Sequence, residues 1–216
     1  MRLLILGAGA HGCAIADLIA DGAGPTVVGF ADADPALTGR RVLGLPVVGD
    51  DAAALEAVRA GHANGALVGV GNTAMATRRR LFELLVAHEI PRPPVVHPRA
   101  VVARSAAVDD GTVVFAGAVV GARVRIGANA VLYSGAIVEH DSVVEPHAYL
   151  SPGVVLAGAV TIREGAFLGA GAVVLPGVEI GRDAVIAAGA VVTTSVGAAE
   201  RVAGVPARSL SAPAPL

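Results

Sequence analysis

Val96, Val102, Val108, Val114, Val120, Ile126, Leu132, Val138, Val144, Leu150, Leu156, Ile162, Leu168, Val174, Ile180, Ile186 and Val192 stand at every sixth place of the stretch from Val96 to Val192, and all are branched aliphatics. Four places further on in each hexad the side chain is small or β-branched, as in Ala118, Ala136, Ser142, Ala166 and Ala184. A period of six with two constrained positions is neither the helix period nor the strand period. Each hexad is therefore one flat side of a coiled strand repeat, and three sides close a coil. Two residues further along, at Val138-Glu139-His140-Asp141, the same period turns His140 outward.

The composition agrees. Of 216 residues, 54% are hydrophobic but only 3% aromatic, so the core is made of Val, Ala, Ile and Leu, which suits thin layers of equal volume. The formal charge is −2, without the concentrated basic patch that a nucleic-acid face needs. The single Cys13 rules out a disulfide framework within the chain. Met1 to Leu6 is apolar, but glycines and His11 interrupt the run and Asp17 and Asp21 follow it. It reads as a buried strand and not as a secretion signal, and the expectation is a soluble, cytoplasmic protein with no membrane contact.

Before the repeat, strand and helix patterns alternate over 1–92. A strand at Arg2–Leu6 leads into Gly7-Ala-Gly9-Ala-His11-Gly12 and a helix to about Ala20, which puts a GxGxxG turn where a helix start offers free N–H groups to a phosphate. The next strand, Thr26–Ala31, ends at Asp32, with Asp34 close behind, the distance at which a carboxylate receives ribose or base hydroxyls; a nucleotide contact by one of the two is the favoured reading and a solvated turn the other. A helix capped by Asp50 or Asp51, a strand at Ala66–Val70, the Gly71-Asn72 turn and a helix to about His88 complete a small parallel α/β unit. Arg78, Arg79 and Arg80 on that last helix read as a solvated face or an interface edge in preference to a phosphate clamp. Pro91-Arg92-Pro93-Pro94 is a stiff linker, the repeat occupies 95–208, and 209–216 reads as a mobile tail.

The hexads resemble those of the hexapeptide-repeat acyltransferases. With the N-terminal α/β unit, the GAGAHG turn, the Val138-Glu139-His140-Asp141 segment and the closing Gly204-Val205-Pro206-Ala207-Arg208, the chain resembles the bacterial sugar acetyltransferases of the NeuD/PglD type. The resemblance implies a Rossmann-like domain followed by a left-handed parallel β-helix, assembled as a homotrimer. It implies an enzyme that uses acetyl-CoA to acetylate the amino group of a nucleotide-linked amino sugar, or a hydroxyl of sialic acid or a related sugar.

Acetyl transfer to an amine requires removal of a proton before the nitrogen attacks the thioester, and an imidazole, with a reference pKa of about 6.5, suits that step. His140 is the candidate base, and Asp141 holds its tautomer. One coil of three hexads places Gly158 directly over His140, where its N–H faces a thioester carbonyl. By resemblance, Gly7, Gly9, His11, Gly12, Asp32, Asp34 and Asn72 form the nucleotide-sugar site, and acetyl-CoA lies against Gly158, Gly169, Gly171, Gly177, Gly189 and Arg208. Tyr133 and Tyr149 stand where family members commonly have Asn and His. They are expected near the His140 layer, as sugar contacts or trimer fillers, and His147 faces outward as a further candidate. No metal is expected: a zinc carbonic anhydrase on the same solenoid needs three converging imidazoles, and His140 and His147 lack a third. A dinucleotide oxidoreductase would need a hydride-transfer domain where the repeat stands.

Overall fold

The computed structural model describes residues 1–22 and 24–210. Two compact units divide the chain, Met1–Pro98 and Arg99–Leu216. The division falls a little beyond the proline linker because the segment after it is tied to the first unit: Val95 is buried, and the buried His97 bonds through Nε2 to Asp21 Oδ2 at 3.1 Å.

The first unit runs β1 (Arg2–Leu6), α1 (Ala10–Ala20), β2 (Thr26–Ala31), β3 (Arg41–Val42), β4 (Leu45–Pro46), α2 (Asp51–Arg59), β5 (Gly65–Val68) and α3 (Met75–Ala87). A parallel sheet in the order β2-β1-β5 forms its centre. Leu3, Leu4, Ile5 and Leu6 on the middle strand are all buried, as a strand covered on both faces requires. Asp50 caps α2, its Oδ1 accepting from Ala53 N at 3.0 Å. β5 stops two residues short of the expected Val70 because Gly69 N still reaches Leu6 O, whereas the Val70 carbonyl turns away to accept from Arg78 Nη1. Arg78 also donates to Val68 O at 3.1 Å and is fully buried. The solvated face expected for the arginine run is thus wrong for Arg78, whose guanidinium satisfies carbonyls at the end of β5. It holds for Arg80, which pairs with Asp51 at the surface.

The second unit is the solenoid. Three sheets line its sides, and from Val101 to Ile186 they consist of two-residue strands, each pairing in parallel with the one a full coil away. The first side stacks Val101–Val102, Val119–Val120, Ile137–Val138, Val155–Leu156, Val173–Val174 and Val191–Val192. The second holds Ala107–Val108, Arg125–Ile126, Val143–Val144, Thr161–Ile162 and Glu179–Ile180. The third includes Val113–Val114, Val131–Leu132, Tyr149–Leu150, Phe167–Leu168 and Val185–Ile186.

The aliphatic and small positions of the hexads make one continuous core from Val114 to Val202. Val96, Val102 and Val108 are less covered, since an end layer has neighbours on one side only. Buried Ser142 shows why a small polar residue is tolerated inside: its Oγ donates to Ala157 O and accepts from Val160 N, both at 3.1 Å. The chain closes with Arg201–Ala203 pairing antiparallel to Arg208–Ser209, so Ser209 belongs to a strand and not to the expected tail. The rest of that tail, from 211, lies outside the described residues. No described helix is long and apolar enough to cross a membrane.

Candidate active site

From Gly111 to Gly189 every hexad of the solenoid turns a corner through one residue with positive φ. Many are glycines, such as Gly117, Gly135 and Gly153, but Arg123, Asn129, Asp141, His147, Ala159 and Asp183 adopt the same left-handed conformation. At the corner between the first and second sides, Asp141 (φ 61°) points its carboxylate back at the preceding residue, and His140 Nδ1 lies 2.8 Å from Asp141 Oδ2. One coil below, Arg123 (φ 60°) grips the same carboxylate with both prongs, Nε to Oδ1 at 2.6 Å and Nη2 to Oδ2 at 2.8 Å. Hydrogen bonds from Arg123 and then His140 hold the Asp141 carboxyl well below the usual carboxylate range. Asp141 is therefore a carboxylate and accepts only, so His140 Nδ1 donates to it and Nε2 is turned away from it.

Above the ring is Gly158. A Cβ there would lie 2.7 Å from His140 Cε1 and 2.8 Å from Nε2, and Ala159 N donates to His140 O at 2.9 Å. Below it is Gly121, where a Cβ would meet His140 N at 2.9 Å. The histidine is thus slotted between two glycines in adjacent coils, while its side chain and that of Asp141 remain 58% and 42% exposed. The corner is an open wall with a fixed imidazole on it.

The other expected residues divide. Gly171, Gly177 and Gly189 have φ near +70° and open space where a side chain would go, so each meets the conformational need of a corner. Gly169 differs: a Cβ there would lie 2.5 Å from Ala188 N in the next coil. Arg208, exposed at the closing strand, lines a cavity of about 420 Å³ with Thr193, Thr194 and Glu200.

Tyr133 and Tyr149 are not beside His140 within one chain. They belong to the third side, in a ladder of rings, with Phe115 and Tyr133 stacked at 4.3 Å and Tyr149 lying 5.8 Å from Tyr133 and 5.9 Å from Phe167. Tyr149 is buried there. His147 is a corner residue on the far side of the second sheet, with Nδ1 bonded to Asn129 at 2.9 Å. Among the described residues no three His, Cys, Asp or Glu side chains form a metal cluster.

In the first unit the chain ends of β1, β2 and β5 meet at one edge, the switch point of a parallel sheet. Gly7 (φ 114°) turns the chain there, and a Cβ on Gly12 would stand 2.0 Å from Gly7 O. Gly69, which the motif does not include, completes the knot: its Cβ would lie 2.4 Å from Ile5 and 2.8 Å from Gly12. Gly9 is the residue before α1, with open space around it. His11 is buried against Gly71 and pushed down to about 3 by burial and by the Arg78 guanidinium, so it is neutral. Asp32 spans the turn, with Oδ2 accepting from Ala8 N at 2.7 Å and Oδ1 from Asp34 N at 2.9 Å. Asp34 caps the turn that follows, through Ala36 N. Asn72 opens a short 3-10 turn and is exposed.

A solenoid of hexads with an exposed His–Asp corner, preceded by an α/β unit with a glycine turn, defines a hexapeptide-type acyltransferase. Residues 2–85 match the PglD N-terminal domain, 117–150 the hexapeptide repeat of succinyl-transferase and 159–194 the bacterial transferase hexapeptide. PerB, the perosamine N-acetyltransferase of Caulobacter crescentus, was solved with CoA and GDP-perosamine. It is 36% identical over 98% of each chain, with a TM-score of 0.90. The acetyltransferase domain of PglB from Neisseria gonorrhoeae is 32% identical over 97% of this chain and 99% of that one, with a TM-score of 0.87. WeeI from Acinetobacter baumannii, at 23% identity and a TM-score of 0.79, shares the fold. A comparison with curated protein sequences finds no match. The chain belongs to the hexapeptide-repeat sugar acetyltransferases of the NeuD/PglD type.

Proposed function

We propose that this enzyme moves the acetyl group of acetyl-CoA to the amino group of a nucleotide-linked amino sugar, with His140 as general base. The observation that carries the reading is the orientation of the imidazole. With Nδ1 committed to Asp141, Nε2 is left to accept a proton from the attacking amine as its nitrogen bonds to the thioester carbonyl carbon. The negative charge that develops on the carbonyl oxygen is met by the backbone N–H of Gly158. Collapse of that intermediate breaks the C–S bond, and the imidazolium returns its proton to the departing thiolate.

The glycine turn of the first unit takes the nucleotide diphosphate, as the free N–H groups of a helix start allow. Similarity to PerB, whose structure holds CoA and GDP-perosamine, and to the PglB domain, solved with acetyl coenzyme A, supports donor and acceptor class. The openness of the His140 wall supports a trimer in which a second copy completes the pocket.

The test is release of the CoA thiol from acetyl-CoA, measured against UDP-, GDP- and CMP-linked amino sugars and free sialic acid. Turnover with an amino sugar is expected. Turnover with sialic acid alone would replace the amine by a hydroxyl acceptor. His140→Ala is expected to keep acetyl-CoA affinity and lose nearly all turnover, and a residual kcat above roughly a tenth of wild type would remove the base assignment.

A further inference from the structure

We propose that Arg123 is a positioning residue for the acetyl transfer: its two-pronged grip on Asp141, from one coil below, fixes the carboxylate that orients His140. The inference rests on the reading of His140 as base. Three observations carry it.

The first is that one oxygen is shared. Asp141 Oδ2 accepts from Arg123 Nη2 and from His140 Nδ1, each at 2.8 Å, while Oδ1 is taken by Arg123 Nε at 2.6 Å. Both oxygens are fixed in a plane, so the lone pair meeting Nδ1 has one direction. An exposed aspartate held only by a neighbouring imidazole would rotate about its side-chain bonds.

The second is the cost of having an arginine there. Arg123 is a corner residue with positive φ, a place filled elsewhere in the described solenoid by Gly, Asn, Asp, His or Ala. Asn, Asp and His tolerate that conformation better than long side chains do. The backbone is also tied down, Arg123 N donating to Ser105 Oγ at 3.1 Å. A long cation at a strained, anchored corner serves a side-chain purpose.

The third is the contrast with the other arginines of the stack. Arg163 is gripped by Glu145 and Glu179, and Arg182 by Glu164. Neither Glu145 nor Glu179 is bonded to a histidine in the described hydrogen bonds. Exposed ion pairs of this kind add little to folding, so stability alone gives Arg123 no special place.

The test compares Arg123→Met, Asp141→Asn, the double variant and His140→Ala as full-length enzyme. Arg123→Met is expected to lower kcat about tenfold, with KM for both substrates within about twofold and an almost unchanged thermal midpoint. The loss should be nearly absent in the Asp141→Asn background, because the two residues act as one unit. Wild-type kcat in Arg123→Met, or an undiminished loss in the Asp141→Asn background, overturns the proposal. If Arg123→Met does not fold, Arg123→Lys takes its place under the same criteria, since a lysine keeps the charge but has no fork. His140→Ala separates the two readings. High residual turnover there removes the base itself, whereas an inactive His140→Ala beside a fully active Arg123 variant removes only the role of Arg123.

Discussion

Glycine has two opposite uses in this molecule, and the α/β turn and the solenoid corners show one each. In the α/β unit Gly7, Gly12 and Gly69 are needed for closeness: a Cβ on any of them would lie 2.0 to 2.9 Å from another atom. At the solenoid corners Gly135, Gly171, Gly177 and Gly189 have nothing within 4 Å and are needed for their positive φ. Gly158 belongs to the first kind although it sits in the second unit, and what it makes room for is the imidazole of His140. Gly121, Gly127, Gly169 and Gly181 are also tightly packed, but against the backbone of a neighbouring coil; Gly158 differs in that its neighbour is the ring of a histidine side chain.

The strongest way to break that contrast is Gly12→Ala. A methyl 2.0 Å from a backbone carbonyl cannot be absorbed by a side-chain rotation, and a loss of about 3 kcal/mol is expected in urea unfolding of the first unit. An unchanged unfolding midpoint would show that the knot is slack.

Gly158→Ala comes next. The methyl would push against the end of a flexible imidazole, so stability should barely change while kcat falls by about 100-fold through displacement of the base. A fall in thermal stability without a fall in kcat would return Gly158 to the conformational kind.

His11 gives a pH effect of intermediate size. Its pKa is lowered to about 3 in the folded chain, against about 6.5 unfolded. Between those values the unfolded state binds the additional proton, so its contribution to stability is full at neutral pH and is lost as pH falls. The first unit should lose about 2 kcal/mol between pH 6 and 4.5, with a shallower slope in His11→Gln; equal slopes would contradict a neutral buried imidazole.

Gly171→Ala is the smallest test. Strain at positive φ predicts a loss of roughly 1 kcal/mol with the acetyl-CoA KM within about twofold. A tenfold rise in KM would instead make this corner a cofactor contact.

The solenoid was legible because each inward position repeats the same physical demand, so a single period exposes it. The same arithmetic that sets Gly158 above His140 also sets Arg123 beneath Asp141, and extending it by one coil would have found the ion pair. Corner conformation was not legible, because Arg123 and Ala159 take a backbone angle that their types rarely take. Arg78 was misread because a run of three arginines looks solvated, and only the fold shows that carbonyls at the end of β5 need a donor. Gly69 gave no signal, since a single glycine after a strand is unremarkable until its neighbours are known. Asp32 stood between two readings, and its bonds to Ala8 and Asp34 show the turn-making one at work.

The vertical stacking of the site has a consequence for how such a chain can change length. Arg123, Asp141 and Gly158 meet only because they lie in three successive coils. Duplicating or deleting a whole coil above Gly158 or below Arg123 leaves their mutual register intact, so the stack can lengthen or shorten there without dismantling the His140 corner. An insertion between Arg123 and Gly158 separates partners that no nearby side chain replaces. Natural variation in coil number is therefore expected toward the two ends of the solenoid, with these three coils inherited as one block.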